Sequence, residues 1–244
     1  GIRSRMYEGF PGLYMQFNKA VEFVPGPDWY YNIEYIEEQK RGYDFKEDLF
    51  VPGYFVCIIK KGESIIFSGS TFGEENPESL KKLYDLQVSL RNPRESYHEC
   101  LVNASEQFLV WSEKGTEIIA GFPWFGTWGR DTFISIPGLA LTTGKIGTAK
   151  EIIDTMVDRM KGGLFPNMGD NDNPAFNSVD APLWFFWSLQ EYAKYDLEID
   201  IWKTYSKSII AILKAYREGT SFNIRMLDNG LIWAGEDKKA LTWM

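Results

Sequence analysis

At 244 residues, with 44% hydrophobic and 25% charged, the sequence has the make-up of one large or two ordinary globular domains rather than of a disordered chain. Its formal net charge of −8 argues against a nucleic-acid ligand, which selects a basic face. No apolar run approaches the roughly 20 residues needed to span a bilayer.

Cysteine and histidine usage narrows the chemistry further. Cys57 and Cys100 are too few for a disulfide framework and lack metal-ligand spacing, so a reducing cytoplasm is the expected location. His98 is the sole histidine, which excludes a His-ligated metal site and makes a Ser-His-Asp triad a poor fit. Neither a P-loop nor a GxGxxG turn is present. No metal and no cofactor are expected. No signal-peptide pattern is read at the start, although the chain opens on Gly1 rather than methionine. Nine tryptophans and a 16% aromatic share favour a flat, partly apolar ligand such as a carbohydrate, with an aromatic-rich core as the competing explanation.

Residues 1–75 read as strands. Trp29, Tyr31, Ile33 and Tyr35 recur at every second position, and segments 54–59 and 64–70 flank the turn Lys60-Lys61-Gly62-Glu63 as a hairpin should. This predicts the C-terminal part of a β-sandwich, followed at Gly73-Glu74-Glu75-Asn76-Pro77 by a boundary and a linker helix over 76–92. From residue 93 the period turns helical. Tyr97, Leu101, Ala104, Phe108 and Trp111 form one stripe on a helix expected to end near Gly115. The helix expected over 132–143 is apolar nearly all round, that over 148–161 is amphipathic, that over 181–195 is largely apolar, and that over 200–218 is amphipathic again. Alternation of buried and half-exposed helices predicts two concentric layers, the arrangement of an α/α toroid, of which 93–244 would hold only the first part. A plain helical bundle is the competing architecture.

The loops ahead of the two apolar helices carry the chemistry. Trp124-Phe125-Gly126-Thr127-Trp128-Gly129-Arg130-Asp131-Thr132 joins two indoles, a guanidinium and a carboxylate, the groups that stack on a pyranose face and bind its hydroxyls. Core tryptophans with a surface Arg130–Asp131 pair are the competing reading. Asp170-Asn171-Asp172-Asn173 leads to Asn177 and Asp180 in the second loop, with Trp184 following on the helix. An EF-hand fails there, because Ala175 and Ala181 stand where glycine and glutamate are required. Asp131 and Asp180 are expected at N-cap positions, where free amides and the helix dipole would favour the ionised form and a low pKa. Asp170, Asp172 and Asn177 are candidate hydroxyl ligands.

Three blocks together carry a resemblance. Residues 121–132 (GFPWFGTWGRDT), Leu164-Phe165-Pro166-Asn167 and residues 177–185 (NSVDAPLWF) resemble, in order and spacing, the glucosidase domain of glycogen debranching enzymes. The resemblance implies a β-sandwich remnant followed by an incomplete (α/α)6 toroid of the glucoamylase-like six-hairpin type. It also implies inverting hydrolysis of the α-1,6-linked glucose at a branch point of glycogen or limit dextrin. Inversion uses two carboxyl groups roughly 6.5–9.5 Å apart, one protonated and one activating water. In the family the acid directly follows a Thr-Trp-Met tripeptide and the base lies far downstream, whereas this sequence ends on Thr242-Trp243-Met244. The expectation is therefore that Trp124, Trp128, Arg130, Asp131, Asp180 and Trp184 bind substrate while the chain alone is inactive. Glu236 and Asp237 are the only late carboxylates that could stand in, and they are expected to be solvated. The expected partners are glycogen, limit dextrin or a branched maltooligosaccharide, together with the remainder of the chain or another copy covering helix 181–195. A glucoamylase- or trehalase-like enzyme and a non-catalytic carbohydrate-binding or structural fragment remain open as alternatives.

Overall fold

The computed structural model describes residues 1–74, 76–122, 125–168 and 174–242, and the chain divides into two units, Gly1–Arg91 and Asn92–Met244. The first unit runs β1 (Ile2–Ser4), β2 (Leu13–Phe17), β3 (Glu22–Glu34), α1 (Ile36–Lys40), β4 (Lys46–Val56), β5 (Phe67–Ser70) and α2 (Pro77–Ser89). β2 pairs antiparallel with β1 and β5, and β3 with β4 makes a separate antiparallel ribbon.

The turn predicted at Lys60–Glu63 forms. The Glu63 amide donates to the Lys60 carbonyl at 3.0 Å, and Gly62 supplies the positive φ of +84°. The hairpin predicted around it does not form. Residues 54–56 pair with 22–24, and 67–70 pair with 14–17. Side-chain packing explains the exchange: Phe55 meets Phe23 at 5.1 Å and Phe17 at 4.9 Å between ring centroids, while Phe67 meets Phe17 at 5.1 Å. Cross-strand aromatic pairs therefore outweigh the local turn in choosing partners. The alternation through Trp29 and Tyr31 breaks at Asn32, where φ is +57° and the register with β4 shifts. α2 starts with Pro77 at its first position and the Asn76 side chain accepting from the Glu78 amide.

The second unit opens with α3 (Tyr97–Glu106), capped by a Ser96–Glu99 box. It ends well before Gly115. Phe108 and Trp111 continue the helical spacing in sequence but lie past its end, and β6 (Leu109–Ser112), β7 (Gly115–Gly121) and β8 (Phe125–Thr127) form an antiparallel sheet. Gly115, at φ +122°, opens β7 just after the Glu113–Lys114 turn rather than stopping a helix. α4 (Gly129–Ile136) then begins three residues earlier than the sequence suggested and passes at Pro137 into a π-helical turn over Pro137–Leu141. α5 (Ile146–Asp158), α6 (Ala181–Tyr195) and α7 (Ile201–Glu218) follow, and a short hairpin pairs β9 (Arg225–Met226) with β10 (Ile232–Trp233).

α6 and α7 fall where the sequence placed them, the latter because Asp200 accepts from the Lys203 amide as N-cap and Gly219 stops it at φ +89°. The core of this unit centres on Phe133, Phe165 and Phe185, all fully buried, with ring centroids 4.8–5.5 Å apart. Ile136, Ile152, Ile153, Met156, Tyr192 and Ile212 complete it. On α6, Leu183 and Tyr195 remain exposed.

Candidate functional site

The start of α4 sits against the loop 164–167. The Gly129 amide donates to the Pro166 carbonyl at 3.0 Å and to the Asn167 carbonyl at 3.3 Å. A Cβ on Gly129 would lie 2.3 Å from the Pro166 oxygen, so only glycine allows this approach. Trp128 occupies the N-cap position with extended backbone, which places Arg130 and Asp131 in the first turn rather than at the cap. Arg130 is almost sealed off, with its side chain 5% exposed.

Its guanidinium points at the start of α6. Arg130 Nη1 donates to both carboxylate oxygens of Asp180, at 3.2 and 3.3 Å. Asp180 does stand at the N-cap of α6, but its side chain caps nothing. Ser178 takes that job: its Oγ accepts from the Ala181 amide at 3.2 Å and donates to Asp180 Oδ1 at 2.6 Å. A third donor arrives from far along the chain, Thr242 Oγ1, at 3.0 Å from Asp180 Oδ2. The main chain beside it is fixed by the Val179 amide donating to the Leu241 carbonyl at 2.9 Å and by Asn177 Nδ2 donating to the Ala240 carbonyl at 3.3 Å. Asn177 Oδ1 in turn accepts from Asn167 Nδ2 at 3.2 Å, so its amide links the 164–167 loop to residues 240–242.

Asp131 behaves opposite to expectation. Burial raises its pKa, and the lowering by the Arg130 guanidinium and by its own backbone amide does not offset this; Asp180 adds a further push upward. A place in the first turn offers free amides, but here desolvation of the carboxylate outweighs them. Its Oδ2 is buried and has no hydrogen-bond partner among the described residues. Such an oxygen is costly to leave unsatisfied.

Of the residues singled out from sequence, Arg130, Asp131, Asp180 and Asn177 therefore come together around the starts of α4 and α6. Trp128 is half-buried at the N-cap of α4. Trp184 packs against the core, its ring edge-on to Trp187 at 5.4 Å. Glu236 and Asp237 are exposed, as expected for solvated groups. Trp124, Asp170 and Asp172 lie outside the described residues. Beside Thr242 a cavity of about 460 Å³ opens, lined by Val179, Leu183, Ile232, Ala234, Lys239 and Thr242 among others.

Sequence reasoning missed Ser178, Thr242, and a support for the indole loop. On that support, Glu117 of β7 pairs with Arg159 at the end of α5, and Thr127 of β8 donates to Glu117 Oε1 at 3.1 Å. Ser178, three residues before the first residue of an apolar helix, carries a cap signal that Asp180 masks. The other partners are separated by 42 and 62 residues and leave no local trace.

Residues 103–244 match the family model described as amylo-alpha-1,6-glucosidase, and the chain belongs to that family. Residues 1–66 match a second model, described as the N terminal of glycogen debranching enzyme. Among curated proteins, the chain is similar to the glycogen debranching enzyme of Saccharomyces cerevisiae, 40% identical over 159 residues. That alignment covers 58% of this chain and 9% of the yeast protein, so the chain spans about a tenth of the length of this relative.

Proposed function

We propose that this chain supplies the glucose-holding wall of an α-1,6-glucosidase that acts at branch points of glycogen or limit dextrin. The observation that carries it is the Arg130–Asp131 pair itself: a sealed cation beside a carboxyl with one oxygen unpartnered among the described residues, at the helix start inside the matched family region. A sugar hydroxyl donates to the Asp131 carboxyl once that carboxyl turns toward it, giving the oxygen its missing partner, and the half-buried Trp128 offers an apolar face to the ring. Asp131 is a binding group in this reading. Hydrolysis with inversion then needs a protonated carboxyl on one side of the ring and a water-activating carboxylate on the other. For the architecture we favour the first helices of an (α/α)6 toroid, with α4 and α6 in the inner layer and α5 and α7 in the outer one. The burial of α4 and the polar outer sides of α5 and α7 support this. Cys57 and Cys100, exposed and unbridged, fit a reducing cytoplasm. Among the described residues no helix is long and apolar enough to cross a membrane.

Titration of the chain with isomaltose and panose, followed by tryptophan fluorescence, tests the reading. A saturable change is expected, and Asp131→Asn should weaken it about tenfold, the size of one lost hydrogen bond to a charged group. A flat titration, or equal affinity in Asp131→Asn, would overturn it.

A further inference from the structure

We infer that Asp180 is a positioning residue, not a sugar ligand: it sets the Arg130 guanidinium and residues 240–242 in a fixed relation to each other. The inference rests on the glucose-holding role given to Arg130 and Asp131 above. A carboxylate offers about four acceptor positions. In Asp180 they are taken up by Arg130 at both oxygens, by the Ser178 hydroxyl at Oδ1 and by the Thr242 hydroxyl at Oδ2. Its side chain is only 18% exposed, which leaves little room for a further ligand.

The donors come from three places. Ser178 is local, Arg130 lies 50 residues before, and Thr242 lies 62 residues after. Asp180 is thus the point where the start of α4, the start of α6 and the segment after β10 meet. The segment is already docked by its main chain, through the Val179–Leu241 and Asn177–Ala240 bonds and the 7%-exposed Leu241 side chain. Tyr216 holds the other side of the same backbone, its hydroxyl donating to the Val179 carbonyl at 2.6 Å. What the main chain leaves undetermined is where the Thr242 side chain points relative to Arg130. The chain Thr242 Oγ1–H to Asp180 to Arg130 Nη1 fixes that direction.

Thr242 is exposed, so its replacement tests the idea without threatening the fold. In this chain, Thr242→Val should weaken isomaltose binding by about tenfold although Thr242 itself touches no sugar, and Thr242→Ser, which keeps the hydroxyl, should bind within twofold of the parent. Asp180→Asn should lose at least as much as Thr242→Val. Were Asp180 a direct ligand instead, Asp180→Asn would lose affinity while Thr242→Val bound normally, and that outcome overturns the inference. Hydrogen exchange at the Val179 amide supplies a readout independent of sugar: protection should drop about tenfold in Thr242→Val and persist in Thr242→Ser. Unchanged protection in Thr242→Val also overturns it. If the parent chain binds no isomaltose, the glucose-holding role fails, and the exchange pattern alone decides whether Asp180 and Thr242 hold the segment.

Discussion

Thr127 and Arg159 both grip the carboxylate of Glu117, one by a hydroxyl from β8 and the other by a guanidinium from the end of α5. Because Trp128 follows Thr127 directly, this contact sets where the indole loop leaves the sheet. Arg159 and Glu117 are mostly buried, with side chains 20% and 13% exposed. Replacing one partner, as in Glu117→Gln, strands the other and should cost about 3 kcal/mol. The double change Glu117→Met with Arg159→Met should recover part of that loss. Urea denaturation of Glu117→Gln, of the two single methionine changes and of the double change checks it, and additive losses in the methionine set would show that the pair is not coupled.

Burial makes Asp131 hold its proton more tightly in the folded protein than in the unfolded chain. Its contribution to stability is then complete below the ordinary aspartate range, about pH 4, and is lost as pH rises through the raised folded value. Asp131→Asn removes that dependence. The variant should melt higher than the parent at pH 7, and the gap should close as pH falls below about 4. Parallel melting curves across that range would show the carboxyl to be well solvated. Stability gained at the expense of sugar affinity is the usual signature of a binding group.

Gly129 lets the start of α4 press onto the Pro166 carbonyl. Gly129→Ala should force the two apart, lowering the melting temperature and weakening isomaltose binding together, since Arg130 moves with the helix start. Gly138, within the π-helical turn, has open space where a Cβ would go. Gly138→Ala is the matched control and should leave sugar binding unchanged.

Phe133, Phe165 and Phe185 form the centre of the second unit's core, and Phe185→Ala should cost about 3–5 kcal/mol through lost burial and the cavity left behind. Phe185→Leu should cost clearly less. A denaturant midpoint for Phe185→Ala near that of the parent would mean the core is not shared between α4 and α6.

Local signals explain which parts of this architecture the sequence disclosed. α7 carries its own start and stop signs, Asp200 and Gly219, so the sequence bounds it. The helical stripe runs past the end of α3 because Phe108 and Trp111 happen to keep helical spacing beyond it, and β6 is a run of four residues too short to show its own period. The start of α4 reads late in the sequence because Gly129 and Arg130 look like loop, and the contact that fixes them is the carbonyl of Pro166, far along the chain. In the first unit the turn at 60–63 was legible and its strand pairing was not, since aromatic rings on β2 and β3 decided the partners. At the site, Arg130, Asp131 and Asp180 were recognisable by chemistry. The raised pKa of Asp131 was not, because burial is a property of the fold rather than of the residue.

The docking of residues 240–242 on 177–180 has a kinetic consequence. Its hydrogen bonds close loops of 62 and 63 residues, whereas α6 and α7 are built from contacts four residues apart. Loop closure grows costly as the logarithm of length and is repaid only when the long-range contact forms. On these grounds the helices are expected to assemble first and the carboxylate cluster last, so a chain caught midway through refolding should show native helical signal while the Val179 amide is still unprotected.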